Sequence, residues 1–261
     1  MKGGIIVGVA VVSFFALVVL GQVHPFGDPR SEPAQGLGTL LQSANMPAPA
    51  KEVLVAKCAD CHSSETHWPA YARVAPGSWL IERDIIEGRR HMDLSRWAEL
   101  SPDKQDVLKA KIVQEAKSGG MPLPQYLLIH WSAKLSKDDV QALALLGKVD
   151  GTIEAGAAGA GDAGRGKQVF EKRCTGCHAM EADREGPRLA GIFGRRAGSV
   201  TGYTYSAGLR KSGETGLSWD DVSLDKWLSD TDAMVPDNNM EFRVPKPQER
   251  LDLIAYLKQA K

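Results

Sequence analysis

A net charge is the first thing this chain lacks. Over 261 residues, 32 Lys and Arg balance 32 Asp and Glu, so no basic excess points to nucleic acid. Strand signals are missing too. No convincing run alternates apolar and polar residues, which argues against a sandwich or barrel and for helix and loop. Aromatics make up only 7%, yet six are Trp, and Trp68, Trp79, Trp97 and Trp131 fall within residues 51–147. Cysteine is scarce, with four in the whole chain. All four belong to two copies of one pentapeptide, so none is left for a disulfide, a free thiol or a further metal ligand. No other internal repeat is visible. At 43% hydrophobic and 25% charged, the composition is ordinary for a globular chain with room for about two domains.

Charge is also absent near the N-terminus, where Lys2 stands alone before Asp28. The apolar run from Ile5 to Leu20 reads as a signal peptide or an uncleaved signal anchor. It has no Ala-x-Ala cleavage site, which favours an anchor spanning a bilayer with Lys2 inside and the rest exported. Residues 22–50 hold Pro25, Pro29, Pro33, Pro47 and Pro49 and read as an extended tether with little core. In residues 51–147, Ser101 and Pro102 form an N-cap and N1 pair ahead of Leu108, Ile112 and Ala116. Ser136 opens a second helix carrying Val140, Leu143, Leu145 and Leu146. Residues 148–164 are mostly Gly and Ala and read as a flexible linker. Residues 165–261 begin with a helix bearing Val169 and Phe170 and end with Leu251, Ile254 and Leu257 at helical spacing.

The two pentapeptides are Cys58-Ala59-Asp60-Cys61-His62 and Cys174-Thr175-Gly176-Cys177-His178. Cys-x-x-Cys-His is the attachment signature of c-type haem. Thiols at this spacing reach two vinyl groups on one porphyrin edge, and the adjacent His ligates iron from the proximal side. A redox dithiol would want a surrounding βαβ pattern, and a zinc ribbon would want its pairs ~15–20 residues apart. Neither fits here. The cofactors expected are therefore two covalently attached haem c groups, with His62 and His178 as proximal ligands.

Residues 165–261 resemble a class I, mitochondrial-type cytochrome c. The shared positions are Gly166, Phe170, the haem string, Gly186-Pro187-Arg188-Leu189, Gly194-Arg195, Gly202-Tyr203-Thr204-Tyr205, Trp219, Val235-Pro236 and Met240, and Glu249 to Leu257. The resemblance implies Met240 as distal ligand and the Pro187 carbonyl as acceptor of the free His178 N–H. It places Arg195, Tyr205 and Trp219 around a haem propionate, and it packs Gly166, Phe170 and Tyr256 where the terminal helices cross. Asp237-Asn238-Asn239 stands where that family more often has Gly-Thr-Lys, and a few extra residues separate Tyr205 from Trp219. Met234 and Met180 are the competing thioethers.

Residues 50–147 resemble a group of bacterial haem-binding, cytochrome-like domains. They share the string running on to Thr66, then Trp68-Pro69, Tyr71, Ala75-Pro76, Trp79-Leu80, Gly88-Arg89-Arg90, Trp97, Met121-Pro122-Leu123-Pro124 and Tyr126. Met121, after Gly119-Gly120 and before prolines, is the favoured distal ligand of the first haem. His91 offers bis-imidazole ligation instead. His67 is too near His62 to reach the opposite face, and His130 and His24 read as structural or exposed.

The whole is expected to be mainly α: two small helical c-type cytochrome domains joined by a Gly/Ala-rich linker and preceded by an N-terminal transmembrane helix. Its function would be single-electron transfer between redox protein partners, such as a quinol-oxidising complex and an oxidase or reductase. Its place would be the periplasmic face of a bacterial inner membrane. No catalytic residue is assigned. The alternatives, a haem peroxidase, a small-molecule reductase or a haem sensor, would need an open distal position on the first haem, with Glu65 or His91 moving protons.

Overall fold

The computed structural model describes residues 2–33, 35–43, 46–148 and 159–260. Among them there is no strand, only an isolated antiparallel bridge between Arg196 and Ser218. Two compact units emerge, residues 1–44 with 51–99 and residues 45–50 with 100–261. Packing thus divides the chain after Glu99, not in the Gly/Ala-rich stretch. Residues 149–158 of that stretch lie outside the described residues.

In the first unit, helix α1 runs Lys2–Leu20. Its described side chains begin at Ile5 and are mostly exposed. From Ile5 to Leu20 the helix is about 24 Å long at ~1.5 Å per residue, short of a hydrocarbon core ~30 Å thick. Among the described residues no helix is long and apolar enough to cross a membrane. That corrects the expected transmembrane helix. The stretch read as a loose tether also differs from expectation. Leu37 and Leu40 are buried, and the Trp79 indole donates to the Val23 carbonyl at 2.8 Å. Arg30 donates to the Ala72 carbonyl at 2.9 Å and lies over the Trp68 ring at 3.8 Å. Prolines set the path of this segment, while its polar side chains bind it to the unit.

Helix α2, Gly77–His91, carries Arg89, Arg90 and His91 in its last turn, where positive charge complements the helix dipole. It buries Ile85 and also Glu82. A buried carboxylate needs a partner, and Arg30 supplies it at 2.5 Å.

In the second unit, helix α3 spans Pro102–Ser118 and stops at Gly119, whose φ of 75° only glycine adopts easily. Ile112 and Ala116 are buried on the predicted face. Helix α4, Lys137–Ala144, has the predicted start: Ser136 and Asp139 form a reciprocal capping box. Helix α5, Ala163–Arg173, is capped by Asp162, and helix α8, Pro247–Gln259, closes the chain. Between them come α6, Ala207–Glu214, and α7, Asp221–Ser229.

Helices α5 and α8 cross at Gly166, where a Cβ would lie 1.9 Å from the Asp252 carbonyl oxygen. One turn on, Phe170 and Tyr256 pack with ring centroids 5.6 Å apart. Arg165 grips Asp252 with two hydrogen bonds of 2.8 Å each. That grip, with the Asp162 backbone N–H and Gln248 adding to it, outweighs burial and holds the Asp252 carboxyl down to about 2. The core around this crossing includes Leu253, Ile254, Leu257, Trp219, Trp227 and Val244.

Candidate functional site

The end of α5 builds the second site. Cys174 N–H donates to the Phe170 carbonyl and His178 N–H to the Cys174 carbonyl, each at 2.8 Å. The pentapeptide is thereby wound into one tight turn. His178 Nδ1 lies 2.7 Å from the Pro187 carbonyl oxygen. A carbonyl can only accept, so Nδ1 carries the proton and Nε2 is left with its lone pair for a metal. Gly186 makes room for the ring, because a Cβ there would meet imidazole atoms at 2.3–2.7 Å. Burial pushes the His178 pKa down, further favouring the neutral ring.

The same cavity, about 1180 Å³ including its mouth, is lined by Cys174, Cys177, His178, Arg195, Trp219 and Met240, and also by Pro187 and Tyr205. All the C-terminal site residues expected from the sequence therefore meet in one place. Met180 and Met234 pack on the core but are not among the residues lining the cavity. Burial raises the Cys174 thiol to about 12 and, foremost among its causes, raises Cys177 to about 11, so both are neutral thiols at ordinary pH in the haem-free chain. Two thiols, a neutral imidazole with one free nitrogen and a thioether around an apolar cavity are a donor set that fits iron porphyrin.

The loop carrying Met240 is held by Asn238, which is 1% exposed. Its Oδ1 accepts from the Met240 N–H at 2.8 Å and the Glu241 N–H at 3.2 Å, and its Nδ2 donates to the Val235 carbonyl at 2.9 Å. The departure from Gly-Thr-Lys thus brings its own internal brace. Arg195 donates to the carbonyls of Ala190 and Arg188 at 3.0 and 2.9 Å, which fixes the guanidinium at the cavity wall.

Sequence reading missed two contributions. One is Trp227 on α7, whose indole N–H donates to Met240 Sδ at 3.2 Å. Its place eight residues after Trp219, inside an amphipathic helix, was the only signal. A donor on the sulfur withdraws electron density and disfavours ferric iron. In the haem-loaded protein, Trp227→Phe is expected to lower the potential of the C-terminal haem. The shift should be on the order of 50 mV, equivalent to a tenfold change in relative affinity for the two oxidation states. Potentiometric titration checks it, and an unchanged midpoint would remove Trp227 from the ligand's environment. The other missed contribution comes from α3, which lends Val107, Ala110 and Gln114 to the cavity wall.

The first site repeats the device. Cys61 and His62 sit on a single helical turn, Ala59–His62, after the wider turn Leu54–Cys58. His62 Nδ1 lies 3.0 Å from the Met92 carbonyl oxygen. Arg89 donates to the Ser63 carbonyl at 2.9 Å, and the buried Ser63 hydroxyl to that of Ala59 at 2.7 Å. Gly88 clears space, since a Cβ would come within 2.9 Å of the Cys61 carbonyl oxygen. Burial, with Asp60 and Asp84 adding to it, raises the Cys61 thiol to about 11, and burial lowers the His62 pKa. Cys58 is half-buried beside them. His67 is exposed and pairs with Asp60 at 2.9 Å. His91 is exposed at the end of α2, as is Glu65 beyond the string. His130 stacks on Tyr126 with centroids 4.1 Å apart. Met121 is 37% exposed and belongs to the second unit, whereas His62 belongs to the first.

Comparison with known proteins divides the chain elsewhere, between residues 146 and 163, near the Gly/Ala-rich stretch. A family model described as a haem-binding domain matches residues 16–146, and one described as cytochrome c matches residues 163–261. The first match starts inside α1 and so takes in the segment read as a tether. A cytochrome c from Chlamydomonas reinhardtii is 40% identical over 107 residues, covering 40% of this chain and 93% of that protein. One from Guizotia abyssinica is 38% identical, covering 39% of this chain and 92% of that protein. Among solved structures, ferricytochrome c2 from Rhodopseudomonas palustris is 35% identical, covers 38% of this chain and 99% of its own, and has a TM-score of 0.37.

Proposed function

Because this chain belongs to the cytochrome c family, with a haem-binding domain ahead of its cytochrome c domain and haem c as its covalent cofactor, we propose that it is a dihaem electron carrier. It passes single electrons between redox protein partners. Haem c supplies a reversible one-electron iron couple at each string. The protein's part is to hold and insulate it. His178, with its tautomer fixed by Pro187, and Met240 would together hold the iron. Asn238 and Trp227 set the orientation and basicity of the sulfur, and the apolar wall keeps water out. At the first string the Met92 carbonyl holds His62 in the same way, and the sequence offers Met121 as the ligand that would complete the set. The observation that carries this reading is that Met240, His178, Cys174 and Cys177 line a single cavity.

We place the carrier on the exported side of a bacterial inner membrane, where covalent haem attachment is completed. The exposed apolar side chains of α1, Ile5 and Ile6 at 66% and 69% among them, are the attachment to that membrane. A balanced net charge gives no reason to add nucleic acid to the partners.

The test is carbon monoxide added to the reduced, haem-loaded protein, with a low-temperature spin-state spectrum of the oxidised form. The expected result is two low-spin haems, no rapid binding, and a spectral change at the first haem on Met121→Ala but not on His91→Ala. Rapid stoichiometric binding at one haem would overturn the carrier and favour a peroxidase, reductase or sensor.

A further inference from the structure

Helix α3 lies outside the cytochrome c match, which begins at residue 163. Yet it packs with that domain in one compact unit. The curated relatives leave no room for it, since the C-terminal match already covers 93% and 92% of their own lengths. It is an addition to the site in this chain.

Its contacts run along one side of the second site. Near its start, Asp103 pairs with Arg173 at 2.6 Å and with Lys172, the two residues just before Cys174. In its middle, Val107 stands over the pentapeptide, because a Cβ on Gly176 would meet its Cγ1 at 2.5 Å. Lys111 pairs with Glu185 at 3.1 Å, and the Gln114 amide donates to the Glu185 carbonyl at 2.5 Å. Near its end, Lys117 pairs with Glu241 and donates to the Asn238 carbonyl at 3.3 Å, reaching the loop that carries Met240. The buried Ala110 joins the core around Phe170.

We propose that α3 is a resident cover on the cysteine edge of the C-terminal haem and a clamp on the Met240 loop, so that a free redox partner cannot use this edge while α3 is seated. The proposal rests on the haem reading above, and its occupant is the chain's own segment 102–118. The fastening at Glu185 is ionic and partly exposed, whereas Glu241 is buried beneath Lys117, so charge reversal or salt releases the first more readily than the second. The apolar contact of Val107 and Ala110 supplies the fit; the charges supply the register.

The experiment uses the haem-loaded full chain, with Lys111→Glu and the swap Lys111→Glu/Glu185→Lys. Amide hydrogen exchange is read across α3 and across residues 174–186. The single reversal is expected to speed exchange in both segments by roughly tenfold, the equivalent of about 1.4 kcal/mol. One phase of oxidation by a small neutral electron acceptor should accelerate several-fold, and the swap should restore wild-type behaviour. Exchange that stays at the wild-type level in the reversal, or that rises in α3 alone, would overturn the cover. Should the reversal fail to fold, Gln114→Ala removes one fastening at Glu185 and is read the same way. The sulfur-to-iron band of the Met121→Ala protein reports Met240 separately. Its absence would sink the ligand assignment, while exchange in α3 still decides the cover.

Discussion

Met240→Ala, made in the haem-loaded protein, will abolish the sulfur-to-iron charge-transfer band of the C-terminal haem and lower its midpoint potential. The band exists only when a thioether sulfur is bound to ferric iron. The other thioethers nearby, Met180 and Met234, pack on the core without lining the cavity and cannot substitute without remaking it. A neutral, soft sulfur favours the ferrous state. Replacing it by water or a nitrogen ligand should cost a sizeable share of the ~0.8 V that axial ligands span. Alanine also frees the Trp227 indole, which loses its acceptor 3.2 Å away, and leaves the turn braced by Asn238 without the side chain it presents. The fold should survive, because Met240 sits on a loop at the cavity wall and the α5–α8 crossing does not depend on it. Visible absorption and potentiometry decide the matter. Because Met121 would give the first haem a band of its own, the loss is read in the Met121→Ala background; a band retained there, or a midpoint that does not move, would assign the sulfur elsewhere.

Much of this site could be read from the sequence because short-range chemistry fixes it. A Cys-x-x-Cys-His string can wind only one way around a porphyrin edge, so both strings were recognisable from five residues each. The Pro187 acceptor, the Met240 loop and the Gly166, Phe170 and Tyr256 contact followed from a resemblance that held along the whole C-terminal segment. The capping box at Ser136 was local enough to read from four residues. What failed was long-range. Proline content made residues 22–50 look like a tether, but Leu37 and Leu40 are buried, and the contacts of Val23, Pro29 and Arg30 reach partners 42 to 60 positions away. That residues 100–148 pack with the C-terminal segment was hidden for the same reason, although the family matches part at the Gly/Ala-rich stretch where composition put the boundary. The face of α3 that meets the second site carries Val107, Lys111 and Gln114, and nothing in their spacing says which domain they serve. Trp227 was passed over because an indole in an amphipathic helix reads as core until its N–H is seen to face a sulfur.

Gly166→Ala should unfold the C-terminal domain at markedly lower temperature. The added methyl would lie 1.9 Å from the Asp252 carbonyl oxygen, 2.5 Å from its carbon and 2.8 Å from Tyr256 Cβ. Two of these three atoms are backbone, so no side-chain rotation relieves the clash, and the helices must move apart. Ordinary overpacking costs ~1–3 kcal/mol. Alanine recovers at most ~1 kcal/mol of helix propensity over glycine. Separation, however, also strains contacts on both sides of the crossing. One is the Phe170–Tyr256 packing at 5.6 Å. The other is the paired hydrogen bonds of Arg165 to an Asp252 side chain that is only 4% exposed. Arg165 itself is half-exposed, so water screens that pair and its disruption adds only modestly to the cost. A net loss of about 2 kcal/mol would drop the melting temperature of a domain of this size by roughly 8–16 °C. Thermal unfolding of the haem-loaded protein, followed by tryptophan fluorescence, measures it. A melting temperature within about 2 °C of the unmutated protein would mean that the two helices do not approach this closely at Gly166.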